Sequence, residues 1–210
     1  AILLADEVMN AMGGYANWKT TRFITWNFFS RRTLLWDKWT GDVRIEIPES
    51  KTTILVNIND STGRAIENGV EITDPDTLKL NYINKGVSIW INDSYWLVMP
   101  FKLKDSGVTL QYKGQQTTQA GDSADMVQLT FENVGETPNH KYNVYVDQQT
   151  KLVTQWDYFD DRNKTEPRFS TPWDDYKSFG KILLSGNRGK GQLTEIQVLE
   201  EVKRSQFTEF

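Results

Sequence analysis

Apolar positions recur along this chain of 210 residues at two different periods, and the period switches twice. Leu4, Val8 and Met12, flanked by Ala5, Met9 and Ala11, fall at helical spacing and stop at Gly13-Gly14. This predicts a short amphipathic helix near residues 2–13 with a glycine cap. From Thr20 the period becomes two. Ile24, Trp26 and Phe28 share one side, as do Leu34, Trp36 and Lys38. After Thr40-Gly41-Asp42, Val43, Ile45 and Ile47 oppose Arg44 and Glu46, which predicts an antiparallel meander. Ile54, Val56 and Ile58 form the next strand, Asn59 to Gly63 reads as a turn, and Glu67-Asn68-Gly69 as a tight hairpin.

The helical period then returns. Asp74-Pro75-Asp76 predicts a helix start, because the aspartate accepts backbone N–H bonds and the proline's fixed φ suits the first turn. Leu80, Ile83, Val87, Trp90 and Ile91 recur at steps of three and four, giving one apolar stripe over residues 76–99. Gly86 weakens that helix by about 1 kcal/mol relative to alanine. Asn92-Asp93-Ser94 reads as the cap of a second short helical turn, and Pro100 as its stop. The segment Tyr95 to Phe101 is the most apolar in the chain and carries no charge. The expectation is a broken helix whose tip is an apolar plug.

Beyond it the strand pattern resumes with Val108, Leu110 and Tyr112, then Val127, Leu129 and Phe131. Tyr142, Val144 and Val146 lead through Asp147 to Thr150 into Leu152, Thr154, Trp156 and Tyr158, a hairpin. Asp160 to Glu166 is a polar loop. Ile182 and Leu184, a turn over Gly186 to Gly191, and Leu193 to Val202 complete the pattern. About a dozen strands curl rather than lie in one flat sheet, and the concave face needs apolar filling. The predicted fold is therefore mainly β (α+β): a curved antiparallel half-barrel with helices packed in its concave face, forming one domain over 1–210.

Composition narrows the function. Twenty-four basic and 28 acidic residues give a net charge of -4, mixed along the chain. That offers no field for nucleic acid. Absence of cysteine excludes disulfides and thiolate chemistry. No apolar run approaches the roughly 20 residues of a membrane-spanning helix, and the first residues lack the order of a signal peptide. Aromatics make up 12 %, eight of them tryptophan, enough to build a core or a groove.

Three segments carry a resemblance. LADEVMNAMGGYANW at the start, LLWDKWTGDVRIEI in the meander and NDSYWLVMPFKLKDSGVTL around the plug resemble a group of uncharacterised Bacteroidetes-type envelope lipoproteins. That group is related in fold to the lipoprotein carriers LolA and LolB, and the likeness spans nearly the whole chain. To LolA and LolB themselves it is one of layout more than of motif. The resemblance implies a half-barrel closed by helices, an address in the cell envelope (periplasmic or anchored at the outer membrane), and a cavity for a lipid or acyl chain. The lipid-modified cysteine of such proteins is absent from this chain; it would either sit just before Ala1, where it would supply a membrane anchor, or be missing.

Catalytic candidates have bland alternatives. His140 is the only histidine, set in a turn Pro138-Asn139-His140-Lys141, and reads as a solvated turn residue without a triad. Asp160/Asp161 and Asp174/Asp175 are adjacent carboxylates that point apart, unlike a glycosidase pair. Asp157, Asp160, Asp161 and Asn163 lack the spacing and glycine of a calcium loop and read as a polar hairpin tip. Trp156, Tyr158, Phe159, Phe169, Trp173 and Tyr176 suggest a sugar platform but more simply a core. No cofactor, metal or enzymatic activity is expected.

Two functions follow. One is a non-enzymatic envelope protein that holds an apolar ligand in a cavity or under the plug, with Trp26, Trp36, Trp90, Tyr95, Trp96, Met99 and Phe101 as its binding residues. The other is a structural or interaction module whose plug completes the core, meeting a protein or glycan through surface aromatics. Packing decides between them: a hollow filled to native density admits no ligand.

Overall fold

Alternating apolar positions pair as strands, and helical repeats cover them. In the computed structural model, which describes residues 1–132 and 139–210, the order is α1 (Ile2–Ala11), α2 (Tyr15–Thr20), β1 (Phe23–Phe28), β2 (Arg32–Asp37), β3 (Asp42–Ile47), β4 (Thr52–Asn57), β5 (Thr62–Glu67), β6 (Val70–Glu71), α3 (Pro75–Thr77) and α4 (Asn84–Val98). There follow β7 (Val108–Thr117), β8 (Ser123–Phe131), β9 (Lys141–Asp147), β10 (Val153–Phe159), β11 (Phe169–Pro172), β12 (Asp174–Phe179), β13 (Ile182–Arg188) and β14 (Gly191–Leu199). The fold is mainly β, with two antiparallel sheets and a few helices; the sheets are open and do not close into a barrel. Pro138 of the predicted His140 turn lies outside the described residues.

The chain divides into two compact units, Ala1–Trp18 with Val98–Gly191 and Lys19–Leu97 with Gln192–Phe210. In the first, five strands run in the order β11-β10-β9-β8-β7, beside the hairpin β12–β13. Val127, Leu129, Val144, Val146 and Trp156 are buried on one face of that sheet, while Leu4, Ala5 and Val8 bury the inner side of α1 and Met12 is buried just past its end. Gly13 follows with φ 110°, and a Cβ there would run into the Lys181 carbonyl. The close approach lets the Leu183 N–H donate to the Met12 carbonyl at 3.0 Å. The helix α2 was not foreseen: after the glycines the chain turns again, with Asn17 Nδ2 donating to the Gly13 carbonyl at 2.7 Å. Trp18 stacks on Phe101 with ring centroids 4.3 Å apart.

In the second unit the strands run β14-β1-β2-β3-β4-β5-β6. The Asn68-Gly69 turn is as expected, with φ of 51° and 80° at its two residues. Asp74 caps the following helical segment by accepting from the Thr77 N–H at 2.8 Å. That segment runs from α3 through a π-helical stretch Leu78–Ile83 into α4. The wider turn offsets the 3.6-residue period, so Leu80, expected on the buried stripe, is 67 % exposed whereas Ile83 is 2 % exposed.

The predicted break at Asn92-Asp93-Ser94 does not occur. α4 continues to Val98, and Pro100 stands in a 3₁₀ turn over Met99–Lys102. Asp93 is no cap, because its carboxylate has an ion-pair partner across the layer and is free to sit in a helix interior.

Candidate functional site

The strand register sets one continuous face in the second unit. Ile24 pairs Trp36, Trp26 pairs Leu34 and Phe28 pairs Arg32; Trp36 pairs Val43 and Leu34 pairs Ile45. Ile45 then pairs Ile54 and Val43 pairs Val56, and these meet Ala65 and Gly63 on β5. Directly paired residues point to the same side of a sheet, so these side chains form one apolar surface interrupted by a single cation, Arg32.

Helix α4 covers it with a stripe of Gly86, Trp90, Asp93 and Leu97, preceded by Ile83. Gly86 marks a close approach: a Cβ there would stand 3.0 Å from Ile54 Cγ2 and 3.4 Å from Val56 Cγ1, so those side chains would have to give by a few tenths of an ångström. At Gly63 the same holds from the sheet side, where a Cβ would meet Ile83 Cδ1 at 2.8 Å. Trp90 meets Trp36 edge-on at 5.2 Å, and Trp96 meets Phe29 at 5.3 Å and Phe28 at 6.4 Å.

The polar anchor of this layer is Arg32–Asp93. Arg32 Nε donates to Asp93 Oδ2 and Nη2 to Oδ1, both at 2.6 Å, a bidentate fork. The Asp93 side chain is completely buried and that of Arg32 is 20 % exposed. Burial pushes the Asp93 carboxyl above its ordinary range, against the pull of Arg32 and of Asn92, whose Nδ2 donates to it at 2.9 Å. Arg32 also lies over the Phe28 ring at 4.9 Å.

Three donors in the same unit lack acceptors. The indole N–H groups of Trp26, Trp36 and Trp90 are buried with no hydrogen-bond partner among the described residues. Trp26 is 0 % and Trp36 6 % exposed. A buried unsatisfied donor costs about 1 to 3 kcal/mol, so the layer holds polar capacity that its own side chains do not use.

Of the residues expected to bind, Trp36 and Trp90 are in contact, Trp26 lies on the same sheet face, and Tyr95 and Trp96 are half-buried at the end of α4. Met99 and Phe101 fall in the other unit, where both are buried and Phe101 packs on Trp18. Sequence reasoning missed the Arg32–Asp93 pair. The signal was present: Asp93 falls three residues after Trp90 and four before Leu97 on the apolar stripe, and Arg32 two before Leu34.

The remaining candidates lie in the first unit. Trp156, Phe159 and Trp173 are buried core, as the simpler reading has it, while Tyr158 and Phe169 remain partly exposed with centroids 5.0 Å apart. Asp157 is not at a hairpin tip. It lies in β10, 5 % exposed, and accepts from the Tyr145 hydroxyl at 2.7 Å and Gln155 Nε2 at 2.8 Å. Asp160 binds Lys164 at 2.7 Å, and Asp161 accepts from the Asn163 N–H at 2.8 Å. On β12, Asp175 pairs with Lys177 at 2.9 Å. Among the described residues no cluster of His, Asp or Glu could hold a metal.

His140 is not the solvated turn residue expected. It is half-buried before β9, shares a hydrogen bond with the Tyr158 hydroxyl at 3.1 Å from Nδ1, and meets that ring edge-on at 5.1 Å. Burial lowers its pKa, aided by Arg168 and opposed by Asp160. A histidine held neutral stabilises the fold above its unfolded pKa of about 6.5, and that contribution fades as pH falls below this value. His140→Ala is therefore expected to cost about 1 kcal/mol at pH 7.5 and less at pH 5.5, measured by urea unfolding at both pH values. An equal cost at the two would separate His140 from the pH response.

These features define a class: an open-sheet, mainly β protein whose helix seals an aromatic sheet face. No protein-family model matches the chain. No curated protein matches it either. Among solved structures it is similar to a DUF1329 family protein from Desulfovibrio piger, at 10 % identity and TM-score 0.49 over 98 % of this chain and 96 % of that one. It is similar at 10 % identity and TM-score 0.48 to a LolA superfamily protein from Nitrosomonas europaea, over 100 % of this chain and 97 % of that one. MucB, solved in complex with MucA(peri), gives 13 % identity and TM-score 0.25 over 89 % of this chain and 52 % of that one. At these values a shared layout carries no shared chemistry. No helix among the described residues is long and apolar enough to cross a membrane.

Proposed function

We propose that this chain is a non-enzymatic binding protein for an apolar ligand that carries hydrogen-bond acceptors, an acyl ester of a lipid or lipoprotein, taken up between α4 and the sheet face of β1–β5. The observation that carries this reading is the set of indole N–H groups of Trp26, Trp36 and Trp90, unpartnered among the described residues, in a layer that is apolar apart from the Arg32–Asp93 pair and its Asn92 contact. An ester carbonyl supplies the acceptor those donors lack, and its chain replaces the contacts that α4 now makes. The helix must shift for this, and the π-helical stretch Leu78–Ile83 at its start is the place where its hydrogen-bond ladder is already irregular. Tyr95 and Trp96 flank the entrance in this reading; Met99 and Phe101 support the other unit. An envelope address, with kinship to the lipoprotein group that the sequence resembles, accompanies it, and cell fractionation checks that address.

A second reading is favoured by the close seating of α4 on the sheet, where a Cβ added at Gly86 would stand 3.0 Å from Ile54 Cγ2. Here the chain is an interaction module with a filled layer. The two are separated by titrating a fluorescent fatty-acyl ester into the parent, Trp36→Phe and Trp90→Phe. Loss of one hydrogen bond of about 1 kcal/mol weakens binding roughly fivefold in each variant. A parent that binds no probe leaves only the filled module.

A further inference from the structure

On the opposite face of the second unit's sheet, residues 200–210 cross the strands. Phe207 is 8 % exposed and packs on Phe23 at 6.2 Å. Arg44 Nη1 donates to the Glu209 carbonyl at 2.7 Å, Arg64 Nη1 to the Thr208 carbonyl at 2.6 Å, and Arg204 pairs with Asp42. Where this segment leaves β14 it walls an open cavity of about 550 Å³, lined by Arg22, Phe23, Asp37, residues 200–204 and Phe207. That volume is in the range of small-molecule sites.

The walls are charged with both signs, and only some charges are used. Asp37, 1 % exposed, takes Arg22 Nε at 3.0 Å and Nη2 at 2.8 Å. Burial alone would push the Asp37 carboxyl up, but Arg22 and the N–H groups of Trp39 and Thr40 hold it below its ordinary range. Arg22 is further fixed over the rings of Phe23 at 4.5 Å and Trp39 at 5.0 Å. Its Nη1 remains without an acceptor among the described residues, and the side chains of Lys203, Glu200 and Glu201 make no ion pair or hydrogen bond there. The cavity thus offers an immobilised guanidinium donor and an ammonium, two carboxylates, and the paired rings of Phe23 and Phe207.

We infer that this cavity binds a zwitterion with an apolar body, an α-amino acid or the end of a short peptide. Its carboxylate meets Arg22 Nη1 and Lys203, its ammonium meets Glu200 and Glu201, and its side chain lies against Phe23 and Phe207. An anion alone is repelled by the two free carboxylates, and a cation alone by Lys203 and Arg22. This site is independent of the layer under α4.

Calorimetric titration of the full chain with L-phenylalanine, N-acetyl-L-phenylalanine and L-phenylalanine amide tests it. The zwitterion is expected to bind at least about tenfold more tightly than either derivative, each of which lacks one charge. Lys203→Gln weakens L-phenylalanine but not the amide, and Glu200→Gln with Glu201→Gln weakens L-phenylalanine but not the N-acetyl derivative. All three positions are exposed, so the folded state is retained and circular dichroism verifies it. Equal binding of the three compounds, or no saturable binding of L-phenylalanine, overturns the inference.

Discussion

Arg32→Met is expected to lower the unfolding free energy by about 3 to 5 kcal/mol at pH 7, because it leaves a fully buried carboxylate without its cation. Methionine keeps an unbranched apolar stem of similar length, so the loss is chiefly that of the guanidinium, both as partner of Asp93 and over the Phe28 ring. Among the described residues Asp93 would keep the Asn92 amide at 2.9 Å. Its carboxyl is already raised by burial, and removing Arg32 removes the charge that opposes the rise. In such a protein the folded state holds a proton that the unfolded chain has released, over the window above the ordinary carboxylate pKa of about 4. Stability therefore falls as pH rises through that window. The deficit of Arg32→Met relative to the parent should be largest at neutral pH and shrink towards pH 4.5. Urea denaturation of both proteins across that range measures it, and a deficit independent of pH would mean that the Asp93 charge is not what Arg32 balances.

Trp26→Ala should cost about 3 to 5 kcal/mol, since the ring is wholly buried on the sheet face and its removal leaves a cavity between β1 and the helix layer. Trp26→Phe should cost about 1 kcal/mol. It keeps most of the ring volume and deletes the indole N–H that has no acceptor. The half-buried Trp96, held by edge contacts with Phe28 and Phe29, is intermediate: its truncation should cost about 2 kcal/mol. Thermal and denaturant unfolding of the three variants ranks them. If Trp96→Ala proved the costliest, the anchor of this layer would be the helix end and not the sheet face.

Much of the architecture is legible in the residues alone. The two-residue period over Ile24–Phe28 and Val43–Ile47 gives strands because alternation is a local property of an extended chain. Leu4-Val8-Met12 gives α1 for the corresponding helical reason. Asp74-Pro75 and Asn68-Gly69 act through neighbouring backbone groups, so their roles could be assigned from a few residues. The apolar stripe of the middle helix was visible too, although the π-helical stretch displaced Leu80 from it.

Tertiary structure decided the rest. Asn92-Asp93-Ser94 has the composition of a cap, and only Arg32, sixty-one residues away, turns Asp93 into the interior residue of a continuous helix. His140 has the neighbours of a bare turn residue, and only the pairing of β9 with β10 brings the Tyr158 hydroxyl within hydrogen-bond distance. Asp157 looked like part of a polar tip because nothing near it in sequence names Tyr145 as its donor across the β9–β10 pair. The seven residues expected to line one cavity also divide between two units, a partition set by which sheet each side chain reaches. The elements and the apolar face each presents follow from the residues themselves, since period, caps and turn residues act over a few positions. Burial of charge, pairing of polar groups and the membership of a site depend on which distant segment supplies the partner, and for these the fold alone was decisive.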